Sequence, residues 1–122
     1  MTRVSFVQYR DSYIFQCTGH TGFAQSGEDI LCSAVSVLCY TLDEYLQRAH
    51  SEGRLKRYES SFSSADVTVE FEPVQEDGAL LEAVRAVLGG FILLAENYGD
   101  YIIADVYFRH GKGAGSSLQS LL

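Results

Sequence analysis

Apolar and polar residues alternate from the first residues of the chain: Val4, Phe6 and Gln8 take turns with Ser5, Val7 and Tyr9. YIFQCT (13–18) follows the turn Arg10-Asp11-Ser12. A period of two with a turn between the runs predicts an N-terminal β-hairpin, with Cys17 on its second strand. The glycine-rich segment 19–27 breaks the alternation. From Ile30 to Ala49 the apolar positions Leu31, Ala34, Val35, Leu38, Leu42, Tyr45 and Ala49 recur at helical spacing, ending at Arg48, His50 and Gly53, which suit a helix C-terminus. A short strand at 55–59, the polar turn SSFSSAD and the alternating run DVTVEFE (66–72) come next. Pro73, the only proline, closes that run.

Gln75 to Glu96 reads as a second helix, apolar over most of its girth and therefore expected to be largely buried; Gly89 and Gly90 leave room for a close neighbour. YIIADVYF (101–108) supplies a last strand, and 109–122 reads as a flexible tail. The order ββαββαβ implies an α+β fold: a five-stranded mixed or antiparallel sheet with two helices, in a single domain over 1–108.

Composition narrows the function. With 122 residues, 47% of them hydrophobic and 20% charged, the chain has the make-up of one globular domain. The apolar run Ala83–Ala95 contains Arg85 and is too short to span a bilayer, and MTRVSFVQYR lacks the apolar centre of a signal peptide. These features predict a cytoplasmic protein with no membrane partner. Three cysteines, Cys17, Cys32 and Cys39, do not suggest a disulfide framework. A net charge of −7 disfavours direct nucleic-acid binding, with RLKR (54–57) read as a solvated strand end, and suits a basic protein or peptide partner.

Candidate chemistry concentrates in GHTGFAQSGEDILCSAVS (19–36), where His20 and Cys32 stand beside three glycines. At about 100° per residue, Cys32 points roughly 120° from the centre of the first helix's apolar stripe, next to Ser36, Cys39 and Asp43, so it is not read as a core position. His20 and the helix N-terminus are both available to stabilise its thiolate. Asp29 is the favoured N-cap, with a Ser26–Asp29 capping pair as the alternative. With Asp29 as cap, the amides of Leu31 and Cys32 are candidate oxyanion donors.

Three other readings remain open on the residues alone. Cys17, His20 and Cys32 could ligate a metal, although Cys32 and Cys39, about 10.5 Å apart along the helix, cannot share one zinc ion. Cys32 could be a redox sensor, or the histidine and cysteine could be structural.

The segment GHTGFAQSGEDILCSAVS closely resembles the signature of the ribosomal-processing cysteine protease (Prp) family, a GHAGYA-like stretch followed by G-x-D-[IV]-[VL]-C. Thr21, Phe23 and Ser33 stand where Ala, Tyr and Ala are usual. The chain through about Phe108 is similar to that family in length and element order. The resemblance implies a cytoplasmic homodimeric endopeptidase that removes an N-terminal extension from ribosomal protein twenty-seven of the large subunit. It implies Cys32 as nucleophile, His20 as general base, Asp29 as a supporting or orienting residue, and Ser36 near an apolar substrate groove. Gly19, Gly22 and Gly27 would let the loop open and close over a peptide; no metal or cofactor is implied. The alternative is a noncatalytic module that binds a ribosomal protein.

Overall fold

The computed structural model describes residues 1–25, 29–110 and 117–120. Strands β1 (Thr2–Tyr9) and β2 (Ser12–Thr18) form the expected hairpin, turning through Arg10 at a positive φ of 58°. Helix α1 (Ile30–Ser51) precedes a second hairpin of β3 (Leu55–Ser63) and β4 (Asp66–Pro73). Helix α2 (Gly78–Asn97) leads into β5 (Ile102–His110), completing ββαββαβ as expected. A short strand, β6 (Ser117–Ser120), then pairs antiparallel with the end of β5, within the segment read from sequence as a tail. The sheet order is β3-β4-β2-β1-β5-β6, antiparallel except where β1 runs parallel to β5, pairing Thr2 with Ile102 and Phe6 with Val106.

Alternation decides which face of the sheet is covered. Val4 and Phe6 of β1, Phe15 and Cys17 of β2, Val69 and Phe71 of β4, and Ile102, Ala104 and Val106 of β5 are all buried on one face. Both helices lie over that face, α1 towards β3 and β4 and α2 towards β5. Registers Phe6↔Phe15 and Phe15↔Val69 line up the large side chains across the strands, and the Phe15 ring meets Phe91 of α2 at 5.4 Å. Each fully buried phenylalanine contributes about 1.5–3 kcal/mol relative to exposure.

Several sequence expectations change in detail. Ser60–Ser63, read as part of a polar turn, belong to β3 and pair with Val69–Asp66, so the turn is only Ser64-Ala65. The buried side of α1 includes Cys39, Asp43 and Leu46, which the stripe reading had left at its edge or out of it. Asp43 is tolerated there because the Tyr58 hydroxyl and the Gln47 amide both donate to its carboxylate.

Helix α2 is less enclosed than its composition suggested: Leu80, Val84, Leu88 and Phe91 are buried, but Leu93 is 60% exposed, since only one side faces the sheet and α1. Of its two central glycines only Gly90 is a contact point, where a Cβ would come within 2.7 Å of Leu38 on α1. RLKR is absorbed by ion pairs from Arg54 to Asp77, Lys56 to Glu72 and Arg57 to Glu70, which leaves no free basic patch there.

Candidate active site

The segment after β2 turns sharply because Gly19 adopts a φ of +89°, and a Cβ there would sit 2.3 Å from the Met1 carbonyl oxygen. Its position is held on two sides: its amide donates to Ala65 O at 2.8 Å, and Thr2 Oγ1 donates to its carbonyl at 2.9 Å. His20 follows with an exposed side chain, its carbonyl accepting from the Met1 amino group at 2.7 Å. Gly22 also has a positive φ, +73°. Gly27, the third expected hinge glycine, and Ser26 lie outside the described residues.

Asp29 is the N-cap of α1, in extended backbone conformation, with Oδ1 accepting from the Cys32 amide at 2.8 Å. Its other oxygen, Oδ2, accepts from Thr21 Oγ1 at 2.6 Å and from the amides of Phe23 and Ala24 at 3.2 and 3.3 Å. One buried carboxylate therefore ties the glycine-rich loop to the start of the helix. The loop gains a further anchor from Phe23, whose ring meets Tyr101 and Tyr98 edge-on at 5.3 and 5.9 Å.

This arrangement selects the capping alternative for Asp29 and removes Cys32 from the expected oxyanion pair. Among the described residues no hydrogen bond joins Asp29 to His20, so the carboxylate organises backbone and does not orient the imidazole. The Cys32 amide is engaged by Asp29 Oδ1 and is not a free oxyanion donor. Both follow from capping, which directs the carboxylate at helix and loop amides.

Cys32 is half-buried, in the first turn of α1, in the wall of a cavity of about 360 Å³. His20 and Ser36 line the same cavity, with Val35, Tyr40, Phe62 and Val67 forming an apolar side; the Tyr40 and Phe62 rings stack at 5.0 Å. A second, adjoining hollow of about 780 Å³ shares His20, Cys32, Ser36, Tyr40 and Ser64 with the first. The thiol and the imidazole thus stand on a common stretch of surface between two recesses, as an extended peptide crossing a nucleophile requires. No hydrogen bond joins them among the described residues, as is common for such pairs before substrate arrives.

The other two thiols behave differently. Cys17 and Cys39 are buried neighbours; the nearness of the Cys17 thiol, together with burial, holds the Cys39 thiol above its ordinary range. Cys17 is thereby committed to Cys39, and no cluster of three or more His, Cys, Asp or Glu side chains with metal-holding geometry occurs among the described residues.

The residues missed by sequence reading are Tyr40, Thr21, whose hydroxyl had been noted only as a departure from the motif, and Phe62 and Val67. The last two come from the β3–β4 hairpin, far along the chain, and carried no local signal.

A thiol half-open to solvent that lines the same recess as a histidine, with an apolar side to that recess, is equipment for covalent attack on a peptide carbonyl. Residues 1–103 match the family described as cysteine protease Prp. The chain belongs to that family. It is accordingly a cysteine protease. Among solved structures, the ribosomal processing protease Prp from S. aureus, in complex with a covalently linked product peptide, superposes with a TM-score of 0.67 at 15% identity, covering 87% of this chain and 99% of that one. SMU.848 from Streptococcus mutans superposes at 0.62 with 22% identity, covering 87% and 93%. At these identities the likeness is one of fold. No match is found among curated proteins.

The cap carboxylate is expected to make the junction of loop and helix acid-sensitive. Hydrogen bonds from Thr21, Cys32, Ala24 and Phe23, the first the strongest, hold the Asp29 carboxyl below its ordinary value of 3.8 against the opposing effect of burial. For a depressed acid the stabilisation is complete above the unfolded value and disappears as pH falls through the folded one. Asp29→Asn is therefore expected to melt below the wild type at pH 7. The gap should close as the buffer is taken from about pH 5 to about pH 2. Thermal melts of both proteins across that range check it; a gap independent of pH would exclude the carboxylate's charge as the cause.

Proposed function

We propose that this protease removes the N-terminal extension of a large-subunit ribosomal protein, ribosomal protein twenty-seven, using Cys32 as nucleophile and His20 as general base. The observation that carries the reading is the placement of His20 and Cys32 on the shared wall of two recesses, one with the apolar face of Val35, Tyr40, Phe62 and Val67. Family membership and the motif GHTGFAQSGEDILCSAVS support the same pair. The S. aureus structure is of a ribosomal processing protease holding a product peptide, which supports the substrate class. A net charge of −7 favours approach of a basic ribosomal protein. On this reading the enzyme works in the cytoplasm as a homodimer, as the motif's resemblance implies.

The reaction uses groups the chain supplies. His20 takes the Cys32 proton, and the thiolate adds to the scissile carbonyl carbon to give a tetrahedral adduct. Its collapse breaks the C–N bond; His20 returns the proton to the departing amine, leaving the extension as a thioester on Cys32. A water molecule, deprotonated by His20, then hydrolyses the thioester and restores the thiol. Ser36, exposed on the groove wall, is placed to contact the peptide backbone, while Asp29 supports the pair through the loop and the helix start. Gly19 and Gly22, both at positive φ, provide bending points beside His20.

Incubation with a synthetic peptide spanning the extension and the first residues beyond it, read by mass spectrometry, tests the substrate. A single internal cut is expected, together with iodoacetamide modification of Cys32 ahead of the buried Cys17 and Cys39. Peptide that stays intact under reducing conditions, whether or not it binds, would overturn the substrate assignment.

A further inference from the structure

The Thr21 hydroxyl takes no part in the chemistry just described; besides a long contact from the Phe23 amide at 3.4 Å, it reaches out of its own turn. It is the side chain immediately after His20, only 2% exposed, and it donates to Asp29 Oδ2 at 2.6 Å, the short length of a hydroxyl bonded to a charged carboxylate. The same carboxylate accepts the Cys32 amide through its other oxygen at 2.8 Å. The residue adjoining the base and the backbone of the nucleophile are thus attached to two atoms of one rigid, planar group. No other side chain among the described residues bonds to that carboxylate; the remaining contacts, from the Phe23 and Ala24 amides, are longer and lie further from His20.

We propose that Thr21 is a positioning residue for the dyad, its hydroxyl holding the His20 backbone at a set distance from Cys32 by way of the Asp29 carboxylate. This rests on the assignment of His20 and Cys32 as base and nucleophile. Loss of the hydroxyl leaves the loop attached through Phe23 and Ala24 and by the Thr2 and Ala65 contacts at Gly19. The expected consequence is a displaced base in a folded protein, and small displacements of a reacting pair are costly to rate.

The test compares wild type, Thr21→Val, Thr21→Ser and His20→Ala, measuring kcat and KM on the extension peptide and the rate of iodoacetamide reaction at Cys32. Thr21→Val is expected to lower kcat by about 10- to 100-fold while KM changes by less than about threefold. Thr21→Ser, which keeps the donor, should recover most of the loss. Alkylation at Cys32 should slow in Thr21→Val towards the rate of His20→Ala. Wild-type kcat and alkylation in Thr21→Val, or equal losses in the valine and serine variants, would overturn the proposal. If Thr21→Val shows no cooperative melt, Thr21→Ala replaces it, since alanine removes the hydroxyl without a branched side chain to place. If wild type leaves the peptide uncut, the substrate assignment fails, but the alkylation series still decides the positioning role.

Discussion

Cys32→Ala is expected to abolish peptide cleavage, with a rate loss on the order of 10⁴- to 10⁶-fold, and His20→Ala to come close to it. The size of the effect follows from the division of labour. Without the sulfur there is no covalent intermediate, and without the imidazole there is no local acceptor for the thiol proton or donor for the leaving amine. On the proposed mechanism the two residues act as a unit, so the double variant should be little worse than either single one; a multiplicative loss would mean that they contribute to separate steps. Cys32 is half-buried and His20 exposed, so neither change should disturb the core, and melting curves near wild type should accompany the loss. Initial rates on the extension peptide for the three variants check the assignment. A His20→Ala rate within about tenfold of wild type would remove His20 as the base.

The largest expected effect on stability is from Phe15→Ala, at about 3–5 kcal/mol. Phe15 is fully buried on β2, pairs with Phe6 on one side and Val69 on the other, and packs its ring on Phe91 of α2. Removing it opens a void where the sheet meets the helix layer, between strands too well hydrogen-bonded to close over it. At about 3–5 °C per kcal/mol for a domain of this size, the midpoint should fall by roughly 9–25 °C. The comparison is Gln16→Ala, one residue on and exposed, expected within about 0.5 kcal/mol of wild type. Calorimetry or thermal melting at matched concentration measures both. Well below its midpoint Phe15→Ala should still cut peptide, because the site lies beyond the far end of β2; inactivity there would mean that the core and the loop are coupled.

Local patterns carried most of the fold into view. Alternation is a direct consequence of one-sided burial, and it located the first hairpin and β4, while β5 showed as a short apolar run. The capping preference placed the start of α1 at Asp29, and Gly53 marked its end with a φ of +79°. What escaped was decided by partners remote in sequence. A helical wheel assumes one flat neighbour, whereas α1 lies against both the sheet and α2, so Cys39 and Asp43 are enclosed as well. Asp43 depends on Tyr58, on a different element, and no feature around residue 43 announces it.

The same logic divides the site. His20, Cys32 and Asp29 share one short motif and were legible there. The aromatic recess is assembled from α1 and the β3–β4 hairpin, and only tertiary structure shows it. The Cys32 half of the oxyanion expectation failed for a related reason: a free helix amide can be inferred from position, but its occupancy depends on where the cap side chain points.

The parallel union of β1 with β5 brings Thr2 beside Ile102, with the Thr2 amide bonded to Tyr101 O at 2.8 Å. Some hundred residues must therefore leave the ribosome before the middle of the sheet can zip shut. Thr2 also anchors the bend at Gly19. The fastening of Thr2 between the two ends of the chain, and with it full support for the bend before His20, is thus completed only once the last long strand has been made.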